Sequence, residues 1–163
     1  MLDDLLLNAA SYEETFDRGA LVRAPRRRLA IVTCMDARID LASMLGLREG
    51  DAHVIRNAGG VIADDEIRSL AISQRKMGTR SVMLVHHTDC GMLYFSDEEF
   101  RRELEAETGL PVPWQAEDFD DLDVDVRESI KRVRSSPFIP HRDDVRGFVY
   151  EVETGVLREV LPD

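Results

Sequence analysis

The sequence predicts an α/β fold: a mainly parallel central sheet flanked by helices. Three observations carry this. Short apolar runs rich in β-branched residues recur at Arg28 to Thr33, Ala52 to Ile55 and Ser81 to His87, each of strand length. Helical patterns separate them, and strand–helix alternation gives parallel β-α-β units. The chain has 163 residues, 44% of them hydrophobic, enough to bury one core without disulfide staples. We therefore expect a single domain over residues 1–163.

The elements follow in order. Met1 to Leu7 is apolar enough to form a docking helix, on its own subunit or another. RLAIVT, behind the basic stretch Arg26-Arg27-Arg28, reads as a buried strand. Asp40 opens a short helix to Leu45. AHVI at Ala52 to Ile55 is the second strand. Asp64 to Met77 carries Ile67, Leu70, Ala71 and Met77 at helical spacing, starts with acids and stops at Gly78, as the helix dipole and a glycine stop require. SVMLVHH is the third strand. Ser96-Asp97-Glu98-Glu99 has the capping-box pattern and starts a helix to about Glu107, before Gly109. Pro111 and Pro113 mark a loop. The acidic stretch Glu117 to Asp125 leads into a helix through Val126, Ile130 and Val133. Gly147 to Val152 alternates as a strand, and Thr154-Gly155 turns it into a hairpin with Val156 to Val160.

Charge narrows the function classes. With 21 Lys and Arg against 32 Asp and Glu, the net charge is −11. So acidic a surface repels nucleic acid and anionic membranes, and no apolar run approaches the ~20 residues of a membrane span. The N-terminus has acids where a secretory leader needs bases. We expect a cytoplasmic protein with no nucleic-acid or membrane partner.

Two pieces carry chemistry. Cys34-Met35-Asp36-Ala37-Arg38 follows the first strand, and His87-Thr88-Asp89-Cys90-Gly91 follows the third. Both sit at carboxyl ends of expected parallel strands, where open α/β sheets gather functional groups. Zinc favours thiolate and imidazole ligands. Three of them leave a fourth position open for water, as a catalytic zinc needs. A bare H-x-x-C is also compatible with a buried cysteine and a packed histidine, and Asp36 with Arg38 is compatible with a surface ion pair. Asn57-Ala58-Gly59-Gly60 precedes a helix, and its N–H groups suit an anion such as bicarbonate, although a tight turn explains the same glycines. Asp89, between two candidate ligands, reads as a solvated carboxylate, with a hydrogen bond supporting the site as its alternative. His53, His86 and His141 read as structural or surface residues, with His86 a weak proton-shuttle candidate.

C-x-D-x-R, then R-N-A-G at Arg56 to Gly59, then H-x-x-C, in that order, resembles the β-class carbonic anhydrases from Arg28 to about Met92. The resemblance implies Cys34, His87 and Cys90 as ligands of one Zn2+ per subunit, and Asp36 with Arg38 as a catalytic dyad. It implies reversible hydration of carbon dioxide to bicarbonate and a proton, with a zinc-held hydroxide aimed by Asp36. It also implies a homodimer or higher homo-oligomer, and a closed state in which Asp36 becomes the fourth ligand. Gly59 and Gly60 are the expected substrate-side residues. Three rivals stay open: a zinc hydrolase of carbon disulfide or carbonyl sulfide, a non-catalytic zinc domain, and a Cys34–Cys90 redox pair.

Overall fold

The computed structural model describes residues 2–162. Met1, placed above in the N-terminal helix, lies outside them, as does Asp163. Five helices, α1 (Leu2–Thr15), α2 (Leu41–Leu45), α3 (Asp64–Met77), α4 (Asp97–Thr108) and α5 (Leu122–Ser135), surround five strands. The strands are β1 (Leu29–Cys34), β2 (Ala52–Asn57), β3 (Ser81–His87), β4 (Val145–Tyr150) and β5 (Leu157–Val160). They form one sheet in the order β2-β1-β3-β4-β5. The first four are parallel, and β5 closes one edge antiparallel to β4. Among the described residues, no helix is long and apolar enough to cross a membrane.

Local chemistry sets the element ends. Asp40 caps α2 by accepting from the Ser43 amide at 3.2 Å. Ser96 caps α4 by accepting from the Glu99 amide at 3.3 Å. Gly78 and Gly109 end α3 and α4 in the left-handed conformation, where glycine carries no Cβ penalty. The last helix begins earlier than its apolar spacing indicates, because Asp121 accepts from the amides of Asp123 and Val124. The last long strand spans Val145–Tyr150 rather than Gly147 to Val152, because its register is set by β3, with Val145 opposite Val82. The N-terminal helix continues to Thr15, well past Leu7.

Alternation along the strands divides the core in two. Ala30, Val32, Val82, Leu84, Val145 and Val149 face Leu70 of α3 and Val126, Ile130 and Val133 of α5. On the other face, Ile31 and Val85 pack with Ile39, Leu41, Val61, Met92 and Phe119, and with both cysteines. Gly147 lets α5 approach β4: a Cβ there would lie 2.3 Å from Val126 Cγ1 and 2.9 Å from Ile130 Cδ1. Val126 is β-branched and fully buried, so it cannot swing aside. Gly147→Ala should therefore cost about 1–3 kcal/mol of stability by overpacking, read as a lower midpoint in urea at unchanged slope.

Topology places the site. From β1 the chain crosses to β2 on one side, then returns past β1 to β3 on the other. The carboxyl ends of β1 and β3 thus flank a switch point, where open sheets leave a crevice.

Candidate metal centre

Cys34 is the last residue of β1 and His87 the last of β3. Cys90 follows three residues later, at the start of the Gly91–Leu93 turn. The strand-end positions bring all three together. A ligand atom of each lies within 4.8 Å of the others, and all three residues are buried. The two sulfurs are 4.0 Å apart and the thiols are free.

The donor set fits a soft or borderline cation. His87 Nδ1 faces the Thr88 carbonyl oxygen at 2.9 Å, which fixes the proton on Nδ1 and leaves the Nε2 lone pair free. That Nε2 is buried and has no hydrogen-bond partner. A buried acceptor without a donor is costly unless something else satisfies it. The cysteines agree. The Cys34 thiol is lowered to about 4, first by its hydrogen bond with Cys90. Cys90 moves up, because Cys34 and burial oppose a second negative charge. With the sulfurs 4.0 Å apart, a charge on each is disfavoured. A divalent ion would remove the cost of the second thiolate.

Asp36 stands beside this set. Its Oδ2 lies 3.8 Å from His87 Nε2, yet its carboxylate is engaged by Arg38. Arg38 Nε donates to Oδ1 at 3.0 Å, Nη2 to Oδ2 at 2.7 Å, and the Arg38 amide to Oδ1 at 2.8 Å. These bonds hold the Asp36 carboxyl well below the usual carboxylate range. The loop carrying the pair is tied down by Arg56, whose guanidinium donates to the carbonyls of Cys34, Asp36 and Ile39.

Gly59 and Gly60 follow β2, both with positive φ. A Cβ on Gly60 would lie 2.7 Å from the Cys34 amide nitrogen, so only glycine lets this loop close on the end of β1. A Cβ on Gly59 would press on Met92, Val61 and Phe119, the apolar wall around the cysteines.

The three remaining histidines are structural, as expected, whereas Asp89 is placed differently. Asp89 is not simply solvated: it accepts from Arg38 Nη1 at 2.8 Å and from Tyr94 Oη at 2.8 Å. No motif pointed to Tyr94 or to the three carbonyl contacts of Arg56. His86 is fully buried, pairs through Nε2 with Asp125, and packs on Phe119 with ring centres 5.6 Å apart. Strand alternation turns it away from His87. His53 pairs with Ser73 at 2.8 Å, and the His141 backbone pairs with the side chain of Gln74.

The sequence model of the family described as carbonic anhydrase matches residues 29–110. The chain is 52% identical to β-carbonic anhydrase 1 of Mycobacterium tuberculosis over 160 residues, 98% of each chain. It is 37% identical to the carbon disulfide hydrolase of an Acidianus strain, over 82% of this chain and 77% of that one. Among solved structures, a carbonic anhydrase of Streptococcus mutans superposes with a TM-score of 0.91 at 40% identity, covering 98% of this chain and 97% of the other.

Proposed function

Because the chain belongs to the β-carbonic anhydrase family, we propose that it catalyses the reversible hydration of carbon dioxide to bicarbonate and a proton, with one zinc ion per subunit. The observation that carries this reading is the convergence of three buried donor atoms within 4.8 Å of one another, beside an intact Asp36–Arg38 pair.

Cys34, His87 and Cys90 would hold the ion. Zinc bound there supplies a Lewis acid that brings the ionisation of water close to neutral pH. The remaining work falls to the chain. Asp36, ionised and fixed by the two-pronged fork of Arg38, accepts a hydrogen bond from the attacking oxygen and so sets which lone pair faces the carbon atom. Val61, Met92 and Phe119 form an apolar wall that excludes water around the cysteines and suits an uncharged, apolar substrate. Gly59 and Gly60 keep the backbone low on that side, so substrate approaches over them.

The test is a direct comparison of substrates on zinc-loaded protein. Carbon dioxide hydration, followed by proton release, should far exceed hydrolysis of carbon disulfide or carbonyl sulfide. The 52% relative is a carbonic anhydrase and the 37% relative a carbon disulfide hydrolase, which orders the two readings. Carbon disulfide turnover without carbon dioxide hydration would reverse that order. Two buried cysteines left as thiols also favour a reducing, cytoplasmic setting.

The chain's surface supports a homodimer or higher homo-oligomer. It exposes 10595 Å², whereas a compact monomer of 18.5 kDa exposes about 8,200 Å². Helix α1 buries none of its residues. Leu2, Leu5, Tyr12 and Phe16 lie along one exposed stripe, with Leu6 beside it, and such an apolar face needs a partner. Leu5→Glu combined with Leu6→Glu should lower the mass measured by light scattering toward that of one chain. An unchanged mass would remove α1 from the interface.

A further inference from the structure

Arg38 does not hold Asp36 unaided. Its guanidinium makes four side-chain hydrogen bonds, and two of them go to one other residue. Nη1 donates to Asp89 Oδ2 at 2.8 Å, and Nη2 donates to the Asp89 carbonyl oxygen at 2.9 Å. Offering both acceptors to one guanidinium requires an unusual backbone. Asp89 has φ of 53°, one of three non-glycine residues with positive φ among the described residues. Left-handed backbone outside glycine is uncommon and persists where the surroundings enforce it.

The surroundings do enforce it. The Thr88 amide donates to the Tyr150 carbonyl at 2.9 Å, and Thr88 Oγ1 accepts from the Val152 amide at 3.0 Å. Beyond Asp89, Cys90 is buried and starts the Gly91–Leu93 turn. The turn delivers Tyr94, whose hydroxyl donates to Asp89 Oδ1 at 2.8 Å. Each Asp89 oxygen therefore has its own donor, and the carboxylate cannot rotate off Arg38 without losing Tyr94.

We propose that Asp89, braced by Tyr94, is a positioning residue that locks Arg38 and thereby keeps Asp36 turned away from the three donor atoms. This rests on the zinc-site reading above. The geometry supplies the reason a lock is needed. Asp36 Oδ2 is only 3.8 Å from His87 Nε2, so a small rotation would carry it toward a metal held there. What opposes the rotation is the fork to Arg38, and that fork holds only while the guanidinium stays in place. Arg38 is itself half-exposed, and its long side chain would otherwise sample several rotamers. Asp89 acts on the substrate only through Arg38 and Asp36.

The test uses the full chain loaded with cobalt(II) in place of zinc, because its visible bands report the ligands and their geometry. Asp89→Gly keeps the left-handed backbone and the carbonyl acceptor while deleting the carboxylate. Asp89→Asn tolerates the same backbone and keeps one side-chain acceptor. Tyr94→Phe removes only the brace. The cobalt bands should shift in Asp89→Gly, shift little in Asp89→Asn, and be unshifted by Asp89→Gly when Asp36 is already alanine. In the zinc protein, Asp89→Gly should lower kcat about 10- to 100-fold, as loss of an outer-shell partner does, with KM nearly unchanged and metal content retained. Tyr94→Phe should fall between Asp89→Gly and wild type. The proposal is overturned if the cobalt bands do not move in Asp89→Gly, or if they move equally without Asp36. The cobalt readout needs no turnover, so it tests the lock even if carbon dioxide proves not to be the substrate.

Discussion

Cys34→Ser should lose zinc and, with it, carbon dioxide hydration. A serine hydroxyl is isosteric but does not ionise near neutral pH, so it cannot replace a thiolate as a zinc ligand. The site offers no substitute. Among the described residues, the only grouped donors are Cys34, His87 and Cys90, and Asp36 is committed to Arg38. Two donors remaining on one strand end and its turn would hold the ion far more weakly. Metal analysis after exhaustive dialysis should read one zinc per wild-type chain and a small fraction of that in Cys34→Ser. Hydration should fall by at least ~10³-fold, since the metal's contribution to activating water disappears altogether. Stability should fall as well, because binding free energy of a buried metal is also folding free energy. Full zinc occupancy in Cys34→Ser would mean that the ligands are misassigned. A bound Cys34–Cys90 disulfide with no metal in the wild type would favour the redox reading instead.

The parts of this centre that were legible in sequence are those fixed by strand periodicity and ligand chemistry. Cys34 and His87 end apolar runs whose β-branched content marks them as buried strands, and parallel strands leave their carboxyl ends on one side. Composition also foretold the helix limits at Gly78 and Gly109. Contacts that depend on a single backbone torsion were not legible. Asp89 looks like any surface acid until φ of 53° turns Oδ2 and its carbonyl toward Arg38 and Oδ1 toward Tyr94. Tyr94 reaches Asp89 only because a short turn ends beside it. Arg56 stood out as part of a motif, but its three carbonyl partners are separated from it by 17 to 22 positions, and no periodicity encodes them. The extent of β4 was missed at both ends because strand limits follow the neighbour's register and not the strand's own alternation. Helix α1 shows an apolar stripe that stays exposed among the described residues.

Asp36→Ala should reduce hydration by about 10²- to 10⁴-fold, the range for a positioned hydrogen-bonding or proton-handling group, while leaving zinc at one per chain. The two effects separate because Asp36 touches the site without belonging to the donor set. Its carboxylate lies 3.8 Å from His87 Nε2 but is held in a fork by Arg38. Asp36→Asn should be nearly as damaging, since an amide can offer only one oxygen to the two Arg38 donors and turns its own N–H groups toward either the guanidinium or the substrate. The pH profile adds a check with a definite sign. The Arg38 hydrogen bonds hold Asp36 well below the ordinary carboxylate range, so its stabilising charge is present above that range and is lost only as pH falls through the lowered folded value. A decline in activity between about pH 8 and pH 6 therefore cannot come from protonating Asp36; persistence of that decline in Asp36→Ala would clear Asp36 altogether, and its disappearance would assign it to Asp36 closing the site. A purely structural zinc domain makes the opposite forecast. There Asp36 would serve as a ligand or a fold contact, so alanine would lower zinc content or the unfolding midpoint together with any activity. Retained zinc, a near wild-type midpoint and a hundredfold lower kcat would place Asp36 in the chemistry and exclude that alternative.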